Sequence, residues 1–232
     1  MRTNDLTVMI LLFLALSPTM LNCKSKTQTR DADNRIIALP EPELAGALSL
    51  EETLSLRRSV RSYSEEPLTL PELSQLLWAA QGITSDEGYR TAPSAGALYP
   101  LEIYALVGHV EGLASGLFKY LPSDHALQLI KSGDIRGDLF DEALQQSQIN
   151  EAAVNIVITA LFERTTKKYG ERGVRYVSME VGHVGQNICL QAQSLNLGAC
   201  PIGAFEDEGV KKVLGLSTEE EPLYILSIGK PW

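Results

Sequence analysis

Apolar residues recur at helical spacing in some stretches of the chain and run almost unbroken in others, and polar, Gly and Pro positions punctuate them. Ser49 and Glu52 form a capping-box pattern that opens a helix through Leu50, Leu54 and Arg57. Thr69-Leu70-Pro71-Glu72 opens a second, in which Leu70, Leu73, Leu76, Leu77 and Ala80 keep one face apolar until Gly82. Leu101 to Val107 predicts a strand, Gly116 to Tyr120 and Ala126 to Ile130 a hairpin about Pro122-Ser123-Asp124-His125, and Ile135 to Gln145 a helix. The run Ala153 to Phe162 shows little polar alternation, which predicts a strand covered on both faces. The longest helical stretch, Arg175 to Leu195, sets Val177, Val181, Val184 and Ile188 on one side, with Gly182 and Gly185 small enough to admit another helix. Ala199 to Ala204 returns as strand and turn, Val210 to Leu214 is a short helix ended by Gly215, and Leu223 to Ile228 is a last strand. This order is neither strict alternation nor segregated blocks. The fold class expected is α+β, a sandwich with a central mixed sheet flanked by helices, with no internal repeat and no second domain.

Ahead of that domain the pattern changes. Arg2 precedes an apolar run, Leu6 to Leu16, too short to span a bilayer as a stable helix but of the length of a signal-peptide core. The segment resembles a bacterial lipoprotein signal, in which Cys23 would be acylated and become the mature N-terminus, placing the protein in the cell envelope on a lipid anchor. An uncleaved signal anchor and a cytoplasmic protein whose signal is not used stay open as alternatives. Lys24 to about Gly46 is polar and then proline-marked, without period, and reads as a tether. The expected organisation is therefore signal 1–23, tether 24–48 and folded domain 49–232.

Composition narrows the chemistry. The 232 residues, 44% hydrophobic and 21% charged, suit one well-buried core. A formal net charge of -9 gives no general attraction to nucleic acid or anionic lipid. Besides Cys23 there are only Cys189 and Cys200, which form neither a disulfide framework nor a metal-ligand spacing and are expected as buried free thiols. Against this acidic background Arg57-Arg58-Ser59-Val60-Arg61 is a local knot of positive charge where the first helix gives out. Arg57, Ser59 and Arg61 alternate, so an extended segment turns them to one side, where guanidinium forks and a hydroxyl suit phosphate oxygens. Arginines that simply answer a helix C-terminus and stay solvated fit the same spacing. Lys168-Tyr169 lies in a charge-rich stretch, Arg164 to Arg172, that could equally be a wet surface segment. His183, with Glu180 and Gln186 nearby, reads as a satisfied histidine at a packed interface, and His109 and His125 receive no role.

Five pieces in order resemble the nitroreductase superfamily, and more narrowly its SagB-type (thiazoline/thiazole oxidase-like) dehydrogenases. They are Arg57 to Arg61, Pro93 to Pro100, Lys168 to Gly173, Gly182 to Asn187 and Gly198 to Ala204, and the similarity runs from about Ser49 to Pro231. The resemblance implies an FMN-dependent homodimer with flavins bound at the subunit interface. It implies that Arg57, Arg58, Ser59 and Arg61 contact the flavin phosphate, ribityl chain and pyrimidine edge, and that Pro93, Ser94, Ala95 and Gly96 of the other subunit lie along the ring. The turn Pro201, Ile202, Gly203, Ala204 would present a backbone N–H to flavin N5, and Lys230 would add a second charge at the phosphate. Lys168 and Tyr169 would be catalytic, Tyr169 taking a proton as hydride leaves and Lys168 assisting. The expected activity is hydride transfer between flavin and a stacked organic or peptide-derived substrate. The alternatives are a nitro or quinone reductase with NAD(P)H as donor, and an envelope lipoprotein that holds flavin without turnover.

Overall fold

The computed structural model describes residues 35–232, so Cys23 and the apolar run before it lie outside the described residues. The elements in chain order are β1 (Ile36–Ala38), α1 (Leu50–Leu56), α2 (Leu70–Gln81), β2 (Leu101–Val107), β3 (Gly116–Leu121), β4 (Ala126–Ser132), α3 (Arg136–Glu142), α4 (Gln148–Glu151), β5 (Val154–Leu161), α5 (Glu163–Tyr169), α6 (Arg172–Ser194), β6 (Gly198–Ile202), α7 (Asp207–Leu214) and β7 (Glu220–Gly229). Both capping boxes form: Ser49 with Glu52 opens α1 and Thr69 with Glu72 opens α2, each satisfying orphan donors of a first turn.

The strands make one sheet in the order β1-β4-β3-β2-β5-β7-β6. Residues of alternate parity on β2 and β5 serve two cores, which is why the strand β5 lacks polar alternation. Ile103, Ala105, Ile156 and Ile158 pack with α2 and α6 on one face. Tyr104, Leu106 and Val157 pack with Leu139, Ile149, Val210 and Leu214 of α3, α4 and α7 on the other. The expected α+β sandwich is thus present, with helices on both faces of the sheet.

The sheet differs from the expected mixed one in that every ladder is antiparallel. The helical crossover through α5 and α6 does return β6 in the direction of β5. β7 then inserts between the two, so that no parallel ladder closes. Parallel pairing survives only in the isolated bridges Ser59 to Ala199 and Leu68 to Val110 among the described residues.

Residues 35–48 correct the expected tether, because they fold onto the domain. Ile36–Ala38 pairs with Ala126 to Gln128, and Leu39 is buried. Gln75 of α2 exchanges two hydrogen bonds with the backbone of Glu43, at 2.8 and 3.0 Å. His125, given no role from sequence, places one ring nitrogen 2.8 Å from Ser74 Oγ and 2.9 Å from the Pro40 carbonyl, with Tyr120 Oη 2.9 Å from the other. A three-residue strand is too short to show a period, and the buried Gln75 that receives this segment looks polar in sequence. The stretch Arg164 to Arg172 also gains structure as α5 and the start of α6.

Candidate active site

The basic segment starts as α1 ends. The Arg57 N–H bonds the Thr53 carbonyl at 3.0 Å, and the chain then extends along the edge of β6. Val60 N–H donates to the Ala199 carbonyl at 3.0 Å. Tyr63, 3% exposed, donates its hydroxyl hydrogen between the carbonyls of Val60, at 2.7 Å, and Ser227, at 2.8 Å. Two glycines make this docking fit: a Cβ on Gly198 would stand 2.8 Å from the Val60 side chain, and one on Gly229 would stand 2.7 Å from the Tyr63 ring. Arg57 is half-buried and Arg58 and Arg61 are exposed. None of the three has an ion-pair partner among the described residues, although the chain carries 29 acids. Arg58 Nη1 turns back to the carbonyls of Ser55 and Arg57, at 2.9 and 2.8 Å.

Behind this segment lie the two thiols, free and buried as expected. Burial pushes Cys189 up to about 11, opposed by the charge of Arg57, and burial also raises Cys200, opposed by Arg61. Neither is a thiolate nucleophile at neutral pH. Lys230 also reaches this end, but its ammonium is engaged by Glu72, whose other oxygen accepts from Thr69 N–H at 2.7 Å. Its charge is therefore not free in the way that of Arg57 is. The turn after β6 leaves Gly203 and Ala204 exposed, with the Ala204 carbonyl held at 2.9 Å by Gln146 Nε2.

A second group forms around the small-residue loop. Gly96 takes φ 65°, and a Cβ there would lie 2.7 Å from Tyr169 Oη and 2.9 Å from Lys168 Nζ. The loop and the Lys168-Tyr169 pair, far apart in sequence, thus converge in one chain, and a side chain at position 96 would have to push the tips of both aside. Tyr169 is oriented by Tyr176, ring centroids 5.2 Å apart and edge to face, while Lys168 Nζ lies 5.4 Å from the Tyr169 ring centre.

Under the same loop is a polar cluster that the sequence reading did not single out. Glu180 of α6 is 3% exposed and faces Ser94, Arg90 and Gln81. Burial raises its carboxyl, with Ser94, Arg90 and Gln81 pulling the other way in that order. Arg90 Nη1 donates to Gln81 Oε1 at 2.8 Å, and its guanidinium stacks 4.3 Å from the Tyr99 ring centre. The available signal was an acid beside Val177, Val181 and Val184 on the apolar side of the long helix. His183, expected at a satisfied interface, is exposed and has no hydrogen-bond partner among the described residues. No cluster of His, Cys, Asp or Glu suited to a metal occurs among the described residues.

Comparison with known proteins agrees with this architecture. The Nitroreductase family profile matches residues 54–230. A Methanocaldococcus jannaschii protein named as a nitroreductase is 46% identical over 198 residues, 85% of this chain and 98% of its own length. A crystal structure from Anabaena variabilis, likewise named as a nitroreductase, superposes with a TM-score of 0.76 at 34% identity, covering 86% of this chain and 42% of the Anabaena chain. The microcin B17-processing protein McbC of Escherichia coli is 29% identical over 132 residues, 55% of this chain and 48% of its own. With the family profile matching residues 54–230 and the Methanocaldococcus relative covered over almost its whole length, the chain belongs to the nitroreductase family.

Proposed function

We propose that this nitroreductase-family oxidoreductase is an FMN-dependent, SagB-like dehydrogenase that works as a homodimer. One observation carries the cofactor: three arginines without carboxylate partners among the described residues fall within five positions of a segment fixed to the β6 edge of an acidic protein. Such a set fits a phosphate, which arginine forks satisfy with charge-assisted bonds. Arg57, Arg58, Ser59 and Arg61 would hold the phosphate, ribityl and pyrimidine end. Pro93, Ser94, Ala95 and Gly96 of the second copy would border the ring, and the turn Pro201, Ile202, Gly203, Ala204 would face its reactive edge. FMN when bound supplies a two-electron hydride acceptor and donor.

The chain's own residues supply the rest. Gly96 keeps the loop low enough for a planar substrate to stack, and Tyr169 is held with its hydroxyl at that loop by Tyr176. Tyr169 is the base for the substrate proton, with Lys168 assisting from beside the ring. Lys230 would add charge at the phosphate end only by giving up its pairing with Glu72.

The first test is the visible spectrum of the purified protein. A yellow protein, or a colourless one that takes up added FMN stoichiometrically, is expected, and failure to take it up overturns the reading. Tyr169→Phe should keep FMN bound while substrate oxidation slows by about 10²-fold, the usual contribution of a positioned base. Rapid bleaching of the flavin by NAD(P)H in stopped flow, unaffected by Tyr169→Phe, would instead mark a nitro or quinone reductase. The envelope anchor belongs to the same proposal, and Cys23→Ser is expected to release the protein from the membrane fraction.

A further inference from the structure

The buried cluster under the loop is incomplete as it stands. Glu180 Oε1, Gln81 Nε2 and Arg90 Nε are all buried and close no hydrogen bond. They come from α6, α2 and the segment leading into the loop, and they amount to one acceptor and two donors. Buried polar groups left open in this way call for an explanation, and a complementary set is closed by one water or a small shift. Above them the backbone is under strain, since Gly96, Ala97 and Tyr99 take φ of 65°, 53° and 45° within five residues of Ser94. Left-handed values at Ala97 and Tyr99 persist only where the surroundings over-determine them.

We propose that Glu180 is a positioning residue: it holds Ser94, and through Ser94 the strained turn that brings Gly96 to Lys168 and Tyr169. The proposal rests on the flavin-site reading only for its consequence in binding, not for the clamp itself. Ser94 Oγ accepts the Tyr99 N–H at 2.9 Å, and the Ser94 carbonyl accepts the Ala97 N–H at 3.1 Å. With its lone pair committed to Tyr99, the Ser94 hydroxyl has its own hydrogen to give, and the Glu180 carboxylate is the acceptor that faces it. Arg90 answers the charge from the loop side and stacks on Tyr99, so one acid on α6 fixes both ends of the turn. Tyr176 lies one helical turn before Glu180 on α6 and orients Tyr169. α6 therefore aligns the loop and the tyrosine from a single helix face.

The experiment is amide hydrogen exchange on the full chain without added flavin, in wild type, Glu180→Ala, Glu180→Gln and Ser94→Ala. Glu180→Ala is expected to speed exchange at the Ala97 and Tyr99 amides by about tenfold or more while β5 stays as protected as in wild type. Glu180→Gln, which keeps an acceptor of the same shape, should recover much of the protection. In FMN titrations Ser94→Ala and Glu180→Ala should each raise the dissociation constant about tenfold and the double variant no further, because both act through one link. Unchanged exchange at Ala97 and Tyr99, or losses that add in the double variant, overturn the positioning role. If Glu180→Ala does not fold, Glu180→Asp takes its place, since it leaves Ser94 intact and only draws the carboxylate back: faster exchange at the two amides supports the clamp and unchanged exchange removes it. If wild type takes up no FMN, the flavin reading fails while the exchange result still judges the clamp.

Discussion

Half-buried at the end of α1, the Arg57 guanidinium has no side-chain hydrogen bond or ion pair among the described residues, whereas Arg58 is bonded to two carbonyls of its own helix end. The two neighbours should therefore respond unequally. Arg57→Ala is expected to weaken FMN binding by about 1.5 to 3 kcal/mol, the range for a hydrogen bond to a charged group. Arg58→Ala should cost less, because its guanidinium must first leave the Ser55 and Arg57 carbonyls. Flavin fluorescence titration of both variants measures the difference, and equal losses would mean that Arg57 holds no privileged contact.

At the scale of elements, the arginines are presented by an arm that is docked by shape. Gly198 lets the arm approach β6, since its Cβ would stand 2.8 Å from Val60. Gly198→Ala is expected to lower stability by about 1 to 3 kcal/mol, as overpacking does, and to weaken FMN binding alongside. Urea unfolding and a flavin titration on the same sample check both, and an unchanged midpoint would show that the arm can move aside freely. Elements with their own local signal were legible in sequence. The capping boxes marked α1 and α2, and the nearly continuous apolar run marked β5 as doubly covered. Elements defined by what they pack against were not. In α5 only Thr165 is buried, so the segment shows no apolar stripe. β1 is three residues long, and the antiparallel sheet depends on where β7 inserts, which no local pattern in β7 announces. The site divides in the same way. The arginine cluster stood out by charge, and Glu180 with Arg90 did not, because their pairing exists only once α6 lies beneath the loop.

For the whole molecule, no hydrogen bond, ion pair or ring contact joins the Arg57–Arg61 segment to the loop or to Lys168-Tyr169 among the described residues, an arrangement compatible with the proposal that a second copy brings its loop to the arginines. α6 offers a face for it: Val174 and Met179 are 48% and 53% exposed, and a Cβ on Gly182 would meet nothing within 4 Å. Gly182→Glu should leave the isolated fold as stable or slightly more so, since glycine is a poor helix former, while a charge there opposes helix-to-helix packing. Sedimentation velocity is expected to show the wild type as a dimer and the variant shifted to monomer with reduced FMN uptake. A variant that stays dimeric would place the contact on another face. The arm at β6 has one more effect. β6 is the last strand of the sheet, and Ser59 and Val60 occupy its outer side with a single bridge. An exposed strand edge is a template for pairing with other chains. The residues that present the arginines therefore also guard solubility, and a protein whose arm is loosened should aggregate through β6 before its core unfolds.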